Sequence, residues 1–393
     1  MKPLKIGIIG TCRRGTLGDR YLTPEDKVTI VAGMDVSNSQ LDRFKTRIKE
    51  EQGNTPNGYL DYREMIEKEQ LDGVFVTSPD FCHEEQAVCA LENGVGVYLE
   101  KPIAISIKGA DRILQAAYEN KSKLVLGHNM RYMSFVLKMK ELIDSGAIGE
   151  VKTIWCRHFV NYGGDAYFRD WHAERQYANS LLLQKGAHDI DVIHWLAGSF
   201  TERVNGLGGL TLYDKLPRRD KESEKPVDVT FNTEHWPPLE QKDLNPVVDV
   251  EDISMINMRL QNGVFATYMQ CHFTPDACRN YTIIGTKGRI ENYGDHGEHT
   301  TIQLWDQRRG FNLDGDATFR TPPSSGGHGG SDPAIVRSFF SALRGEGTPN
   351  STPQAARYSV ATGCLGADSI RSNGMPFDVP KLPEELENYE FHK

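Results

Sequence analysis

The sequence predicts two domains in series, an α/β domain wound around a parallel sheet and then an α+β domain whose sheet is antiparallel or mixed. Three observations carry this. Over residues 5–127, short β-rich runs alternate with helix-length amphipathic segments. Beyond residue 150, strand candidates succeed one another without helices between them. A chain of 393 residues that is 38% hydrophobic is also long enough for two separate cores.

The elements of the first domain follow in order. The strand runs are Ile6 to Ile9, Val28 to Met34, Gly73 to Thr77, Val95 to Leu99 and Leu124 to Leu126. Ser37 or Asn38 can cap a helix that runs through Lys49, and Ser106 can cap one whose apolar stripe is Ala110, Ile113, Leu114 and Ala117. The texture changes between Gly127 and Met130, dividing the chain into residues 1–127 and 128–393. A helix from Phe135 to Asp144 then stops at Gly146, and longer strands begin at Val151 to Val160. Val204 to Leu212, Ile253 to Leu260, Val264 to Phe273, Tyr281 to Ile284 and Thr301 to Trp305 follow, and a last helix is expected from Pro333 to Leu343. Two stretches, 213–249 and 306–332, are long for structureless connections. The first is rich in charge and proline (Lys215, Pro217, Lys221, Pro226, Pro237, Pro238), which favours an ordered excursion without a helix of its own.

Composition excludes several classes. The formal net charge is -9, from 45 Lys and Arg against 54 Asp and Glu, and the cations are scattered, so no nucleic-acid partner is expected. No apolar run reaches membrane-spanning length, so no membrane partner is expected either. Seven cysteines without a Cys-x-x-Cys pair fit a reducing, cytoplasmic setting and give no zinc signature. His296 and His299 sit in a Gly/Asp-rich turn and read as solvated, so no metal is expected.

The first chemical motif follows the first strand. Gly10-Thr11-Cys12-Arg13-Arg14-Gly15 has the first and last glycines of a dinucleotide-binding turn, with Cys12 where a second glycine is usual. The first glycine makes the tight turn and the last lets helix pack on strand. A small Cys12 still admits a pyrophosphate at slightly greater distance, facing the amides and positive end of a helix. Asp35 ends the second strand 20 residues after Gly15, where an acid receives ribose hydroxyls. It also repels a ribose phosphate, by about 4 kcal/mol per unit charge at 4 Å and an effective dielectric of 20, so NAD is expected over NADP. Arg13 and Arg14 pull against that preference. Beyond the strand ending at Tyr98-Leu99 comes Glu100-Lys101-Pro102, at the edge of the ligand crevice of such a sheet. Lys101 there is placed to serve as a proton acceptor, provided that its ordinary pKa of roughly 10.4 is lowered by its surroundings.

With these residues in view, the chain resembles the glucose-fructose oxidoreductase, inositol dehydrogenase and rhizopine-catabolism (Gfo/Idh/MocA) family over nearly its whole length. The resemblance rests on Ile6-Gly7-Ile8-Ile9-Gly10, Thr77-Ser78-Pro79 with His83, Asn93-Gly94 leading to Glu100-Lys101-Pro102, and Asn129-Met130-Arg131-Tyr132. It continues through Ser145-Gly146-Ala147-Ile148-Gly149, Lys185-Gly186-Ala187-His188-Asp189-Ile190-Asp191 and Gly285-Thr286-Lys287-Gly288. It implies a Rossmann domain followed by an open, mostly antiparallel sheet that carries the substrate site. It further implies Lys101 as a catalytic or substrate-orienting residue, His188 as its partner, and carbohydrates or cyclitols as substrates. Gly10, Thr11, Cys12, Arg13, Arg14, Gly15, Asp35, Ser78, Pro79, His83, Glu100, Lys101 and Asn129 are the expected cofactor residues.

The departures are informative. Many dehydrogenases of the family have an aspartate four residues before the histidine, where this chain has Gln184. Glutamine takes no proton, so Lys185 beside it is expected to substitute electrostatically, with His188 as acid/base. Asp189 and Asp191 are read as supports for the first turn of that helix. Substrate contacts are expected from His128, Tyr132, Arg157, Trp171, Gln184, His188 and His272, because aromatic faces and polar donors together suit a sugar ring. The run Ser325-Gly326-Gly327-His328-Gly329-Gly330 can carry His328 to substrate, or can use its glycines for positive φ.

The leading reading is therefore an NAD-dependent dehydrogenase or reductase of a sugar, cyclitol or derivative. A second is a glycosidase that oxidises its sugar transiently, eliminates, hydrates and re-reduces. A third is a non-catalytic NAD-binding regulator, which retention of Lys101 and His188 disfavours. A homo-oligomer is expected if one sheet face is exposed.

Overall fold

The computed structural model describes residues 2–220, 229–295, 300–322 and 326–393, so His296, His299, Lys221, Pro226 and Ser325 lie outside the described residues. The chain divides into two units. The first comprises Met1–Tyr132, Gly326–Arg357 and Lys381–Lys393, and the second Met133–Ser325 and Tyr358–Pro380.

The first unit is built on a six-stranded sheet in the order β3-β2-β1-β4-β5-β6, all pairs parallel. The strands are β1 (Leu4–Ile9), β2 (Val28–Met34), β3 (Asn57–Tyr59), β4 (Gly73–Val76), β5 (Gly96–Leu99) and β6 (Leu124–Leu126). β3 has three residues and no apolar run, so pattern alone did not mark it. The helix Asn38–Gln52 starts after Ser37, and Ile107–Asn120 starts after Ser106, whose Oγ accepts from the Gly109 N–H at 3.0 Å. Between β1 and β4 the strand order reverses, which opens the crevice at their carboxyl ends.

A single division near residue 127 does not describe this chain, because residues 326–357 and 381–393 return to the first unit. The reason is hydrophobic. The helix Ser331–Arg344 presents Ile335, Val336, Phe339 and Phe340, a stripe at helical spacing, to the cluster around Phe75 and Tyr98. Phe339 meets Phe75 edge-on at 5.1 Å. Each such side chain taken out of water contributes roughly 1.5–3 kcal/mol, ample to fix the helix on this core.

The second unit holds a nine-stranded sheet, β14-β13-β12-β11-β7-β10-β9-β8-β15. In chain order its strands are β7 (Val151–Phe159), β8 (Thr201–Gly209), β9 (Ile253–Leu260), β10 (Phe265–Cys271) and β11 (Cys278–Gly285). They continue with β12 (Arg289–Tyr293), β13 (Thr301–Trp305), β14 (Ala317–Arg320) and β15 (Phe377–Asp378). Among the described strands of this sheet, only β7 and β10 pair in parallel. β14 lies inside the stretch 306–332 that carried no strand signal, because its burial is slight and its pairing with β13 supplies the order. The described part of 213–249 has short 3-10 turns but no α-helix.

Alternation along β7 separates two faces. Ile154, Cys156 and His158 are buried, and the helix Gly186–Ala197 packs against β7 and β10. Trp155 and Arg157 point the other way, to an open face that also bears Leu207, Met255 and Phe265. All seven cysteines are unbridged, and no helix among the described residues is long and apolar enough to cross a membrane.

Candidate functional site

In the first unit, the turn after β1 depends on its glycines. Gly10 has φ +83°, and a Cβ there would stand 2.8 Å from the Ser78 nitrogen. A Cβ on Gly15 would stand 2.0 Å from the Gly10 carbonyl oxygen. The Thr77 hydroxyl donates to the carbonyls of Ile9 and Gly10, both at 3.0 Å, which ties the ends of β1 and β4 together. Cys12 precedes a 3-10 turn, Arg13–Thr16, rather than an immediate α-helix, and Arg13 itself has φ +45°.

Asp35 sits at the carboxyl end of β2, buried. Its Oδ2 accepts from the Thr11 N–H and hydroxyl, both at 3.1 Å, and its Oδ1 accepts from the Ser37 N–H at 3.1 Å. A carboxylate has about four acceptor positions, so this one is held in place with one left for a ribose hydroxyl. The close glycine turn, the strand-order reversal and this unsaturated carboxylate fit a dinucleotide.

Arg14 and Glu100 behave differently from the expectation that they contact cofactor. Arg14 donates through Nε to Glu100 at 2.5 Å and through Nη1 and Nη2 to Asp332 at 2.8 and 3.0 Å. Glu100 also accepts from the Tyr98 hydroxyl and the Lys101 N–H, both at 3.1 Å. Burial raises the Glu100 and Asp332 carboxyls. For Glu100 the Arg14 guanidinium outweighs burial and lowers it, and for Asp332 hydrogen bonds from His328 and Arg14 hold it well below the carboxylate range. A guanidinium already bound to two buried carboxylates is a clasp, not a phosphate ligand. Asn129 joins it, donating to Asp332 at 3.0 Å.

His328 has φ +48°, and its Nδ1 lies 3.0 Å from Asp332 Oδ2, so the flanking glycines serve positive φ in a turn that packs on this clasp. With Arg13, Arg14, Arg20 and Tyr21 it lines a cavity of about 330 Å³. His83 is fully buried with its ring nitrogens 2.7 Å from the Pro102 carbonyl and 2.9 Å from that of Ser78, a brace between the loops after β4 and β5. Ser78 Oγ donates to Gln86 at 2.5 Å, and Pro79 leads into the turn Asp80–Cys82. Tyr132, expected at substrate, donates to Ser338 and accepts from the Asn350 N–H, so its hydroxyl is committed inside the first unit. Lys101 lies just beyond β5, half-buried, and His128 is buried in the same unit.

In the second unit, Asp189 is the centre of a buried network. It accepts from Arg279 Nε at 2.9 Å, from the Tyr281 hydroxyl at 2.5 Å and from the Tyr268 hydroxyl at 3.1 Å, and His158 Nδ1 lies at 3.1 Å. Burial alone would raise this carboxyl, but Arg279 and the hydrogen bonds hold it well below its ordinary range. Asp189 lies in the first turn of the helix Gly186–Ala197 as expected, and it is in addition the counter-ion of a core network. Burial and then the Arg279 charge bring the His158 imidazole down to about 4, against the smaller pull of Asp189. Arg279, Tyr281, Tyr268 and His158 carried no motif and were not singled out by sequence.

Next to this network lies an aromatic bay. Lys185 Nζ is 5.4 Å from the Tyr162 ring centre and 5.7 Å from that of Tyr167, so its charge lies against both rings. Tyr167 meets His172 at 5.1 Å and His272 at 5.5 Å, both edge-on, and Trp171 stacks on His172 at 3.7 Å. His272 is fully buried, and burial followed by the charges of His158 and Lys185 puts its imidazole well below the usual range. His272 therefore reads as a neutral packing residue beneath Tyr167. Gln184 and His188 are buried on either side of Lys185 in the chain. Arg157 is excluded from this bay by strand alternation and instead donates to Asn280 at 2.7 Å on the open face.

Residues 4–128 match the family model described as oxidoreductase family, NAD-binding Rossmann fold, and residues 140–379 match its C-terminal alpha/beta domain. The protein YteT of Bacillus subtilis is 26% identical over 322 residues, 71% of this chain and 74% of that protein. An inositol 2-dehydrogenase/D-chiro-inositol 3-dehydrogenase of Halalkalibacterium halodurans is 30% identical over 207 residues, and the match spans 51% of this chain and 55% of that one. Among solved structures, a levoglucosan dehydrogenase in complex with NADH and levoglucosan has the same fold, with a TM-score of 0.77 at 19% identity over 97% of this chain and 100% of that one.

Proposed function

Because this chain belongs to the Gfo/Idh/MocA oxidoreductase family, with an NAD-binding Rossmann domain in its first unit, we propose that it oxidises or reduces a ring carbinol or ketone of a sugar, cyclitol or sugar derivative. The observation that supports this substrate class is the bay of the second unit. There, Trp171 stacked on His172, the rings of Tyr162 and Tyr167, and the Lys185 ammonium combine apolar faces with donors. A sugar ring presents C–H patches and hydroxyls in the same way.

Asp35 and the turn from Gly10 to Gly15 would hold NAD, which supplies a hydride acceptor when bound. Lys101 of the first unit and His188 of the second are each read as candidate residues for handling the alcohol proton. The open sheet face with Trp155, Leu207, Met255 and Phe265 is read as the contact with a second copy of the chain, which the solution mass from light scattering checks.

The test is a proton NMR time course of the protein with NAD and a pooled panel of sugars, cyclitols and glycosides. Ketone formed in step with NADH is expected. Glycoside cleavage without net cofactor change would replace this reading by the redox-cycling glycosidase, and silence across the panel would overturn both.

A further inference from the structure

Lys185 carries a positive charge into a half-buried position where, among the described residues, it meets no carboxylate. Asp189, the acid of this region, is already taken by Arg279, Tyr281, Tyr268 and His158. The groups that face Lys185 are two phenols, Tyr162 from the turn after β7 and Tyr167 from the same turn, whose ring centres are 5.8 Å apart. The remaining titratable neighbours are Arg279 on β11 and the buried His158 and His272. An ammonium in this setting favours an anion beside it, and a phenol that gives up its proton is the anion within reach. Of the two phenols, Tyr167 is buried and Tyr162 is partly exposed, so Tyr162 is the one that can exchange protons with a ligand or with water.

We propose that Tyr162 is the catalytic acid/base of the substrate unit and that Lys185, whose ammonium lies against its ring, is the positioning residue that favours its phenolate. This inference rests on the oxidoreductase reading and names the group that does the work Gln184 cannot do. In the oxidative direction the Tyr162 phenolate oxygen takes the hydroxyl proton of the carbinol. The C–H electron pair leaves as hydride to an oxidised nicotinamide dinucleotide, the carbon becomes a carbonyl, and Tyr162 becomes a phenol. Tyr162 then returns its proton to solvent. Reduction runs the same transfers backwards.

The electrostatics agree with the geometry. Burial pushes the Tyr162 phenol up, but Lys185 and then Arg279 outweigh it and bring it down to about 8. Tyr167 moves the opposite way, pushed up to about 12 by burial. Burial disfavours the Lys185 ammonium, yet the two phenols raise it above its ordinary range, so Lys185 is not itself a base near neutrality. Its role in this proposal is therefore the electrostatic one expected from its place beside Gln184.

The test has two readouts on the full chain. In a pH titration of phenolate absorbance, the wild type should show one tyrosine ionising near pH 8. That step should be missing from Tyr162→Phe and moved to the ordinary tyrosine range, roughly pH 10, in Lys185→Met. In hydride transfer to NAD with any active member of the sugar and cyclitol panel, Tyr162→Phe should lose at least ~100-fold in kcat with NADH affinity unchanged. The oxidative rate of the wild type should rise with pH to a plateau above about 8, and Lys185→Met should move that rise upward.

Absence of a tyrosine ionising near pH 8, or a Tyr162→Phe enzyme within threefold of wild type, overturns the proposal and leaves the oxidoreductase reading standing. A wild type that binds NADH and titrates Tyr162 as expected, yet transfers hydride to no panel member, overturns the oxidoreductase reading and the substrate role of Tyr162 with it, while the ionised pair stands.

Discussion

Asp35 in the first unit and Asp189 in the second are both buried aspartates, and the two are satisfied in opposite ways. Asp35 accepts from two backbone N–H groups and one hydroxyl, all neutral, from residues 2 and 24 positions away, and keeps an acceptor position unused. Asp189 is 0% exposed and is surrounded by a guanidinium, two phenols and an imidazole, from residues up to 92 positions away. A carboxylate with spare capacity beside a glycine turn is equipped to meet a ligand. One saturated by charge and phenols is equipped to hold strands and helix together. Buried acid in a site is therefore poor evidence of chemistry until its partners are counted.

The contrast is sharpest when Asp189 loses its charge. Asp189→Asn leaves the buried Arg279 without its main counter-ion, and breaking such a pair costs about 3–5 kcal/mol. Asp295, at 3.5 Å from Arg279, retains part of the compensation, so a loss at the lower end, about 3 kcal/mol, is expected in urea unfolding followed by tryptophan fluorescence. A loss below ~1 kcal/mol would remove Asp189 as the organiser of this network.

The same network makes a prediction for pH. His158 is held neutral in the fold, with its pKa lowered from 6.5 to about 4. Between those values the unfolded chain binds a proton that the folded chain refuses, so stability is complete above 6.5 and falls as pH falls toward 4. One such group contributes roughly 3 kcal/mol over the window, and His272, shifted in the same direction, adds to the slope. His158→Gln should flatten the acid limb of a stability-pH curve by one proton. An unchanged slope would show that His158 is protonated in the fold.

Sequence made these two regions legible to different degrees for a physical reason. The turn from Gly10 to Gly15, Asp35 and the caps at Ser37 and Ser106 act on backbone close by in the chain, so residue type and spacing declare them. The parallel strands of the first sheet showed as apolar runs, and only three-residue β3 escaped. What spacing could not show was side-chain traffic between distant elements. Arg14 looked like a phosphate ligand until Asp332, 318 residues away, claimed it. Tyr132 and Arg157 looked like substrate contacts, but one has its hydroxyl occupied by Ser338 and Asn350 and the other faces the open side of β7. Tyr162 has no motif around it, and its meaning comes from the charges of Lys185 and Arg279 that the fold sets beside it. The one available hint was Lys185, a cation beside Gln184, where an acid was expected.

The smallest effect tests the spare acceptor position of Asp35. Asp35→Asn keeps one carbonyl oxygen for Thr11 but turns an amide toward the Ser37 N–H and the position left for ribose, and removes the negative charge. Loss of one charge-assisted hydrogen bond corresponds to about 1.5–3 kcal/mol, so NADH affinity should fall roughly tenfold or more, read by quenching of protein fluorescence. NADPH should gain over the same change, because its ribose phosphate no longer meets a carboxylate, so the ratio of the two dissociation constants should shift by more than the NADH loss alone. Stability should move less than in Asp189→Asn, since the three donors that Asp35 satisfies are neutral and none is a buried charge left unpaired. If Asp35→Asn instead destabilises the fold by as much as Asp189→Asn while leaving NADH affinity and the NADPH ratio unchanged, Asp35 is a second structural hub, and the distinction between a carboxylate with capacity to spare and one without it fails.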